Sequence, residues 1–273
     1  MNNIWITTLL TIRETFSRKI FILFAGVSTL ILFLLGILFV SVGVENMPLL
    51  GSNIKIDGID MSSEISRSLK LLIISPLYGF GIFLAIFSVS SIIPQMLEKG
   101  NIDLLLSKPI SRMQLILGTF FGGNIVVFLN LSYLIISLWF MIGLKFGDWD
   151  LTFLWSILII TFVFAVLYAM IIFIGVLSNS SILAMMISYI ILLILSPILA
   201  SREVFYNLFE SDIAKTLIDG LYYLIPKTAE LSSLISEINV GMGIEDFQPL
   251  LTSFAFLILN LALSIIIFNK RDY

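Results

Sequence analysis

Six long stretches of the chain are apolar, with scattered hydroxyl and amide side chains and no Asp, Glu, Lys or Arg. Each stretch is at least 19 residues long, and about 20 apolar residues in a helix suffice to cross the hydrocarbon core of a bilayer. The pattern therefore predicts an all-α integral membrane protein with six transmembrane helices. These spans cover residues 20–42, 71–93, 113–143, 151–177, 182–200 and 250–268.

The third predicted span, residues 113–143, is longer than one perpendicular crossing requires. A helix of this kind tilts in the bilayer or continues into water at one end. We expect it to continue into water on the side of the preceding connection, residues 94–112.

The composition agrees with a membrane protein and excludes several kinds of chemistry. Hydrophobic residues make up 59% of the chain, charged residues only 12%, and the mean hydropathy is +1.10, whereas soluble proteins are about one quarter charged. The chain contains no Cys and no His, which excludes disulfides, thiolate chemistry and histidine as a base or metal ligand. We therefore expect no catalytic residues, no metal site and no enzymatic activity in this chain by itself.

Charged residues divide unequally between the two sides of the predicted membrane. Six crossings place both termini on the same side as the connections 94–112 and 178–181, and these segments carry eight basic and four acidic residues. The remaining connections carry seven basic and fourteen acidic residues. Because basic residues are retained on the cytoplasmic side during insertion, we expect a multi-pass protein of the cell (inner) membrane with both termini in the cytoplasm.

Residues 4–16 precede the first span and have a helical pattern of their own. Arg13 and Glu14 point away from an apolar helical face, which carries Ile4, Trp5, Leu9, Ile12 and Phe16. This pattern is typical of an amphipathic helix that lies at the cytoplasmic interface of the membrane. The alternative is a cytoplasmic extension of the first span.

Two outer connections, residues 43–70 and 201–249, are longer than simple turns. The first contains a polar segment, "MSSEISRSLK", for which we predict a short polar helix. The second has the periodicity of two amphipathic helices separated by Pro226, and we expect their apolar stripes to rest on the outer leaflet or on one another. The stripes consist of Leu208, Phe209, Ile213 and Leu217 in one helix and Leu231, Leu234, Ile235 and Ile238 in the other. A single transmembrane domain, residues 1–273, with a helical outer cap follows from this arrangement.

The predicted spans lack the charged groups that mark ion pathways and coupling sites inside membranes. A secondary carrier usually needs an intramembrane carboxylate or a broken helix, so an independent carrier is a weaker alternative. The larger polar side chains in the spans are amides, which hydrogen-bond between helices or contact a substrate; they are Gln114, Asn124, Asn130 and Asn260. The chain also lacks a GxxxxGK[ST] loop for the phosphates of ATP, so energy for any work must come from a partner.

The connection between the second and third spans combines charges with apolar anchors. Ile102, Leu105 and Leu106 lie among charged residues, a pattern typical of a short amphipathic helix parallel to the membrane. Pro109 restricts the backbone and Ser111 can cap the helix that follows, so we expect a stiff turn into the third span. From the residues alone, two interpretations stay open: a segment that transmits force, or a basic loop that only fixes the topology.

The same connection carries a longer motif. It reads Glu98-x-Gly100-x-Ile102-Asp103-x-Leu105-Leu106-Ser107-Lys108-Pro109-Ile110-Ser111-Arg112 and is followed by Leu115, Gly118 and Gly122. The motif resembles the signature of ATP-binding-cassette (ABC) permeases of the second, exporter-type class, and it is most similar to the NosY-like branch of multicopper-enzyme-maturation permeases. The N-terminal helix, the six spans and the helical loop before the last span agree with the plan of this family.

The resemblance implies that this segment forms a cytoplasmic coupling helix, which docks into a groove on a separate ATPase subunit. Glu98, Asp103 and Arg112 would make polar contacts with the ATPase, and Leu105 and Leu106 would seat the helix. With the other motif positions, the residues assigned to ATPase coupling are Glu98, Gly100, Asp103, Leu105, Leu106, Pro109 and Arg112. Since family permeases work as dimers, the resemblance also implies a second copy of this chain and an ATPase dimer, which holds ATP and Mg²⁺ while this chain binds no cofactor.

Gly118 and Gly122 form a small-xxx-small face on the third span. Such a face lets two helices approach closely. Packing within one subunit and packing across a dimer are both compatible with the spacing.

We therefore expect a permease subunit that couples ATP hydrolysis in a partner to export or to mechanical transmission across the membrane. The expected partners are the ATPase, a second copy, the lipid bilayer and an extracytoplasmic protein, and not nucleic acid. The alternative is a non-transporting membrane anchor that displays its outer loops to a soluble protein, because uncharged spans permit this role equally well.

Overall fold

The chain folds as a bundle of helices. The computed structural model describes residues 2–17, 19–41, 55–56, 59–96, 110–206, 212–244 and 246–270. Residues 97–109 of the predicted coupling helix lie outside these ranges, as do Leu208 and Phe209 of the predicted first stripe.

The first half of the described chain contains five helices and one pair of very short strands. The strands, β1 and β2, are antiparallel and pair Lys55 with Asp60 and Ile56 with Ile59. In chain order the elements are α1 (Asn2–Ser17), α2 (Lys19–Ser41), β1 (Lys55–Ile56), β2 (Ile59–Asp60), α3 (Met61–Val89), α4 (Ile92–Met96) and α5 (Arg112–Phe146).

The second half contains helices and no strand in its described part. A 3₁₀ turn precedes α6, and a π turn separates α7 from α8. In chain order the elements are the 3₁₀ turn Leu151–Leu154, α6 (Trp155–Ser178), α7 (Ser181–Ile190), the π turn Ile191–Leu195, α8 (Ser196–Ala200), α9 (Arg202–Tyr206), α10 (Asp212–Leu224), α11 (Thr228–Val240) and α12 (Gln248–Lys270).

Five helical segments are long and apolar enough to cross a membrane. They are Ser66–Met96, Arg112–Phe146, Leu151–Ser178, Ser181–Ala200 and Gln248–Lys270. The last five predicted spans are thereby confirmed as long apolar helices. The first predicted span corresponds to α2, in which the described residues give a shorter apolar stretch, Phe24–Ile37. The chain is a multi-pass membrane protein, and the sixth crossing stays a prediction.

The helix α6 lies at the centre of the bundle. Five of its side chains are completely buried: Val163, Phe164, Leu167, Tyr168 and Ile171. The neighbouring helices, in contrast, are each covered on only part of their surface. The surrounding helices expose large apolar side chains instead, as expected where lipid replaces water as the solvent. The bundle therefore has an ordinary packed core and an apolar outer surface.

The helix α5 runs parallel to α2. Near their middle, the Ser28 hydroxyl donates to Asn130 Oδ1 at 2.9 Å, and near their ends Lys145 Nζ donates to the Phe39 carbonyl at 2.6 Å. Since residue numbers rise together along both helices, α2 and α5 cross in the same direction. The interhelical hydrogen bond predicted for the amides is confirmed at Asn130.

Two other amides in the spans donate hydrogen bonds within their own helices. Asn124 Nδ2 donates to the Phe120 carbonyl, and Asn260 Nδ2 donates to the Phe256 carbonyl. These two bonds run to the carbonyl one turn earlier in the same helix, whereas the sequence predicted hydrogen bonds between helices.

The helix α3 runs antiparallel to α5 and is fastened to the turn after it. Lys70 Nζ lies 2.8 Å from Asp148 Oδ2 and 3.6 Å from Asp150 Oδ2, and the Ser66 hydroxyl donates to Asp148 at 2.5 Å. Although partial burial acts to raise it, the pKa of Asp148 is lowered by hydrogen bonds from Lys70 and Ser66. This ion-paired group ties α3 to the α5–α6 connection.

The polar segment "MSSEISRSLK" is helical, as predicted, and it forms the first turns of α3. Met61 begins α3, and the helix continues without interruption through Lys70 to Val89. Two of its polar side chains, Ser66 and Lys70, bind Asp148, and the helix continues from them into the span.

The helices α10 and α11 form a hairpin with Pro226 between them, as predicted. The stripe of α11 does not rest on a leaflet or on α10: Leu231, Leu234 and Ile235 are buried against the spans. The expected position of this stripe is therefore wrong, because the bundle offers α11 a deeper apolar surface. We call the hairpin Asp212–Val240 the re-entrant hairpin, and its end of the bundle the hairpin end.

Candidate functional site

The helix α5 begins with a complete capping box. The Gln114 backbone N–H donates to Ser111 Oγ at 3.2 Å, and the Ser111 backbone N–H donates to Gln114 Oε1 at 3.0 Å. The box satisfies two backbone donors that a helix N-terminus otherwise leaves without partners. The cap predicted at Ser111 is confirmed, and it fixes the direction in which the chain enters α5.

Arg112, the first residue of α5, is tied to the last turn of α12. Its Nη1 donates to the Phe268 carbonyl at 2.6 Å and to the Asn269 carbonyl at 3.5 Å, and its guanidinium lies 5.4 Å from the centre of the Phe268 ring. The last carbonyls of a helix lack partners within it and form the negative end of its dipole. Arg112 therefore has partners inside the chain, whereas the resemblance implied that it contacts the ATPase.

Close packing joins the first turns of α5 to α1. A Cβ atom on Gly118 would lie 1.8 Å from Thr7 Oγ1, and one on Gly122 would lie 2.6 Å from Thr11 Cβ. Any side chain at either glycine would collide with α1. Both pairs are spaced by four residues, so α1 and α5 run side by side in the same direction. We call these four residues, Thr7, Thr11, Gly118 and Gly122, the Thr–Gly seam.

The seam covers the small-xxx-small face of α5 within this chain. Gly118 and Gly122 are buried against α1. Of the two alternatives that the sequence left open, the contacts of this chain match packing within one subunit.

Threonine side chains suit this seam because their hydroxyls are satisfied locally. The hydroxyls of Thr8, Thr11 and Thr15 each donate to the carbonyl four residues earlier in α1, at 2.7–2.9 Å. The Thr7 hydroxyl donates to the Ile4 carbonyl at 2.8 Å and also reaches the Gln114 carbonyl in α5 at 3.2 Å. These bonds let polar side chains be buried without the cost of an unpaired hydroxyl.

The opposite face of α1 is apolar and exposed. Trp5, Leu9 and Phe16 are 59%, 48% and 45% exposed, and they belong to the face that the sequence predicted to be apolar. The structure has a separate helix at this position, because α1 ends at Ser17 and α2 begins at Lys19. Its location at a membrane interface stays a prediction.

The contacts around the start of α5 together form what we call the junction: the Ser111 cap, the Arg112 latch and the Thr–Gly seam. The cap fixes the direction of entry, the latch connects α5 to α12, and the seam connects α5 to α1. The junction therefore connects three helices, α1, α5 and α12.

The junction contains three of the residues that the sequence predicted as functional. Arg112 is described as the latch, and Gly118 and Gly122 as half of the seam. The remaining coupling residues lie outside the described part of the chain: Glu98, Gly100, Asp103, Leu105, Leu106 and Pro109. Their contacts with an ATPase stay predictions.

A second polar site lies at the tip of the re-entrant hairpin, and the sequence did not predict it. The backbone N–H of Lys227 donates to Ser253 Oγ at 3.2 Å, and that of Ala229 donates to Ser196 Oγ at 2.9 Å. The Tyr78 hydroxyl donates to the carbonyl of Thr228 in the same tip. Hydroxyls from three spanning segments thus form hydrogen bonds with two backbone N–H groups and one carbonyl of the tip. Non-helical backbone inside a bundle needs such partners, because water is not available there.

The π turn in the fifth span places one of these hydroxyls. In this turn the Ser196 N–H donates to the Ile191 carbonyl, five residues earlier. The π turn contains one residue more than an α-helical turn, and the extra residue rotates the helix that follows. Turns of this kind are often found at functional sites. Ser196, the first residue after the turn, accepts the hydrogen bond from the hairpin tip.

Lys227 brings a cation into this tip. Its residue is only 3% exposed, its Nζ lies 3.3 Å from the Tyr222 carbonyl oxygen, and the same Nζ is 3.2 Å from the centre of the Tyr222 ring. Burial lowers the pKa of Lys227, because removal from water disfavours the charged form. The aromatic face and the carbonyl offset part of this cost.

Arg202 covers the other face of the same ring. Its guanidinium carbon lies 3.5 Å from the ring centre of Tyr222, Nε is 3.6 Å from Asp219 and Nη1 is 3.7 Å from Glu230. The Tyr222 hydroxyl donates to Glu230 Oε1 at 2.6 Å. Burial, followed by this hydrogen bond, raises the pKa of Tyr222 to about 12. The tip is therefore a paired network and not a solvated loop.

The sequence contained two signals that could have pointed to this site. The segment "YYLIPKTAEL" places two tyrosines and a lysine around a proline, between two helices with apolar stripes. Aromatic residues and lysines of this kind are enriched near membrane interfaces. The apolar stripe of α11, which has no reason to face water, also favoured burial of the hairpin.

A groove opens between α2, α3 and α5 near the middle of the bundle. Its volume is about 580 Å³, and Pro76 of α3 lies at its wall. Its polar side chains are Ser28 and Asn130, which already bind each other. The surface left for an occupant is therefore almost wholly apolar.

Comparison with known proteins gives one family match. The model of the ABC-2 family of transporter proteins matches residues 20–273, which is nearly the whole chain. No curated protein matches the chain.

Proposed function

Because the chain belongs to the ABC-2 family of transporter proteins and is thus a membrane permease subunit of an ABC transporter, we propose that it couples ATP hydrolysis in a separate ATPase subunit to export or to mechanical transmission. ABC-2 permeases in general work with an ABC ATPase. This chain has no phosphate-binding loop of its own. ATP and Mg²⁺ would therefore be held by the partner.

The junction is the observation that supports this proposal most directly. The coupling motif of the sequence ends at Arg112, and there the helix α5 is capped, latched to α12 and packed against α1. An ATPase that moves the coupling segment would pull on α5 through the cap. The latch and the seam would pass this movement to the last span and to the N-terminal helix.

The proposed arrangement has two copies of this chain above an ATPase dimer. In it α2 is the first of six crossings, both termini and the coupling helix face the cytoplasm, and the re-entrant hairpin faces outward. The unequal distribution of basic residues supports this orientation. The parallel direction of α2 and α5, with α3 antiparallel to α5, is the one that alternating crossings require.

The motif at residues 98–112 also supports a place in the NosY-like branch. In that case the moving part would act on an extracytoplasmic partner at the hairpin end. The alternative function is a non-transporting anchor, in which the same outer surface displays itself to a soluble protein without any ATPase.

Co-purification with the ATPase distinguishes these two functions. The tagged chain is isolated from its native membranes in mild detergent, and bound proteins are assayed for ATP hydrolysis. We expect an ATPase to accompany the chain and to be lost, at least tenfold, from the double variant Glu98→Ala, Asp103→Ala. Lys215→Ala, at the hairpin end, is the matched control and should retain it.

The anchor predicts a different result in the same experiment. The purified chain would then carry no ATPase, or the double variant would retain the ATPase as fully as Lys215→Ala. Either outcome contradicts the proposed coupling.

A further inference from the structure

The predicted coupling helix lies between two residues that both contact α5. On its downstream side the chain enters α5 through the cap at Ser111 and the latch at Arg112. On its upstream side lies Met96, the last residue of α4, whose Sδ is 3.4 Å from Thr119 Oγ1 in α5. Thr119 follows Arg112 by seven residues, or about 10 Å along the helix. A displacement of this segment would therefore act on α5 at two levels, and the contact at Thr119 is not part of the junction.

Thr119 also links α5 to the central helix α6. The Tyr168 hydroxyl donates to the Thr119 carbonyl at 3.3 Å, and both residues are completely buried. A carbonyl oxygen has two lone pairs, so it can accept this bond in addition to the one from its own helix. The Tyr168 ring packs directly against Gly123, where a Cβ atom would lie 2.5 Å from its Cε1. Gly123 therefore lets the ring approach α5 closely enough for the hydroxyl to reach Thr119.

Aromatic packing holds Tyr168 in this position. Its ring is stacked with Phe120 of α5 and with Phe164 of α6, at centroid distances of 6.1 and 5.4 Å. A phenylalanine would fill the same space without a hydroxyl to remove from water, so packing alone does not account for a tyrosine here. The helix α4 packs against α6 as well, and its Ile92 is completely buried. The helices α4, α5 and α6 therefore meet at these residues.

We propose that Thr119 and Tyr168 are positioning residues for transport, which pass a displacement of α4 and α5 on to α6. We call Met96, Thr119 and Tyr168 the relay. Packed side chains and hydrogen bonds of this kind can carry coupling between distant sites. The junction connects α5 to α1 and α12, whereas the relay connects it to the central helix. This inference rests on the proposed function, because the ATPase supplies the displacement.

Fluorescence of a label on α6 tests the relay in the complete complex. Since the natural chain has no Cys, Leu158→Cys gives one site for bimane, whose emission depends on its surroundings. Leu158 is 52% exposed and lies ten residues before Tyr168, or about 15 Å along α6. The full-length labelled chain and its co-purified ATPase are reconstituted in vesicles of phosphatidylethanolamine and phosphatidylglycerol. The complex without this cysteine gives the background.

The emission is compared without nucleotide and with ATP and vanadate, which trap an ABC ATPase in its closed form. We expect the nucleotide to change the emission of Leu158→Cys. Adding Thr119→Val or Tyr168→Phe should reduce this change several-fold, because each substitution keeps the shape of the side chain and removes its hydroxyl. ATP hydrolysis should continue at the same rate. Size-exclusion chromatography, with one symmetric peak at the position of the unsubstituted chain, establishes that each variant is folded.

Two further variants separate the relay from a general effect of lost hydroxyls. Thr119→Ser keeps the hydroxyl and should retain the change in emission. Thr161→Val in α6 is the matched control and should retain it too, because the Thr161 hydroxyl donates within its own helix, to the Ile157 carbonyl at 2.7 Å.

Several results would overturn the relay. An emission that ignores the nucleotide while ATP is hydrolysed would show that α6 does not respond. A full change in both Thr119→Val and Tyr168→Phe would show that their hydroxyls transmit nothing, and an equal loss in Thr161→Val would remove the specificity. A parallel loss of ATP hydrolysis would assign these residues to the ATPase contact. The absence of any co-purified ATPase is a separate failure, which contradicts the proposed function itself and the relay with it.

Discussion

The two ends of the bundle are held together by different kinds of contact. At the junction, the contacts are a seam of glycines against threonines and a single guanidinium on helix carbonyls. At the hairpin end, hydroxyls from three spanning segments hold the tip, and two cations enclose the Tyr222 ring. The junction concentrates its contacts on one helix, whereas the hairpin end distributes them over several.

This difference has a mechanical meaning. A displacement of α5 is passed on directly, because each contact at the junction involves that helix. A displacement at the hairpin end must disturb several independent bonds, so the loss of any one of them changes little. Under the proposed coupling, force would enter at the junction, and the hairpin end would resist deformation.

The largest expected effect is the loss of the seam. Gly118→Leu places a large side chain where even a Cβ atom would lie 1.8 Å from Thr7. We expect a destabilisation of more than about 3 kcal/mol, at the upper end for overpacked helices, and little folded protein in size-exclusion chromatography. Gly79→Leu in α3 is the matched control, because nothing lies within 4 Å of a Cβ there.

A compensating change tests the assignment of this seam. Thr7→Gly removes the atoms that collide with a Cβ on Gly118, so Gly118→Ala should be better folded when combined with Thr7→Gly than alone. Equal thermal stability of Gly118→Ala and the unsubstituted chain would contradict the close approach of α1 and α5.

The next largest effect is expected at the latch. Arg112→Ala removes a charge-assisted hydrogen bond to the Phe268 carbonyl, which contributes about 1.5–3 kcal/mol. In the complex with the proposed ATPase, we expect ATP hydrolysis to continue while the export or transmission that it drives falls at least tenfold. Arg112→Lys keeps the charge and should recover part of the coupling.

Parallel losses of hydrolysis and output in Arg112→Ala would indicate a different role for this residue. Arg112 would then contact the ATPase itself, as the family resemblance implies. The ratio of output to ATP hydrolysed separates the two roles.

A moderate effect is expected for the ion pair between α3 and the α5–α6 connection. Asp148→Asn weakens the contact with Lys70, whose side chain is only 3% exposed. The second partner of Lys70, Asp150, remains in place at 3.6 Å. We expect a loss of about 1–3 kcal/mol in the free energy of unfolding at neutral pH. The difference should appear in thermal unfolding of the detergent-solubilised chain.

The acid dependence of this ion pair follows from its lowered pKa. Asp148 titrates below its ordinary value of 3.8 in the folded chain, so its contribution is complete above that pH and disappears as the pH falls through the lower value. Asp148→Asn should therefore lose less stability on acidification than the unsubstituted chain. An identical acid profile would show that the carboxylate is not paired.

The smallest effect is expected for the buried cation. Lys227→Met replaces it with an apolar chain of similar length, and such replacements are often neutral or stabilising. We expect a change within about 1 kcal/mol in the free energy of unfolding at neutral pH.

The pH dependence distinguishes Lys227 from a solvated lysine. Its pKa is lowered from 10.5 in the folded chain, so the unfolded chain binds the proton more tightly and stability rises as the pH increases towards 10.5. Lys227→Met should remove this rise. A profile that the substitution leaves unchanged would place the ammonium group in water.

The hydrophobic pattern predicted the spans because lipid imposes a simple rule on each helix separately. The cap at Ser111 was also predictable, since a Ser followed three residues later by Gln is a local signal. In contrast, the partner of Arg112 is 156 residues away in the chain, and that of the Thr7 hydroxyl is 107 residues away. No local pattern contains such pairings.

The hairpin shows where the sequence pattern misleads. An amphipathic stripe indicates that one face of a helix avoids water, but it does not say whether lipid or protein covers that face. The stripe of α11 is buried in the bundle, whereas Ile213 and Leu217 of α10 are exposed. The sequence placed Lys227 in an outer loop. The hydroxyls of Tyr78, Ser196 and Ser253, which bind the tip, are far from Lys227 in the chain, so no local pattern indicated its burial.

The Thr–Gly seam also has a consequence for the order of assembly. The chain is made from its N-terminus, so α1 leaves the ribosome long before Gly118 and Gly122 exist. Its threonine face can pack against α5 only after more than 100 further residues have been made, because Thr7 and Gln114 are 107 residues apart. If α1 lies at the membrane interface as predicted, the exposed apolar face of Trp5, Leu9 and Phe16 would hold it at the membrane surface during this interval, and insertion of α5 would then complete its docking.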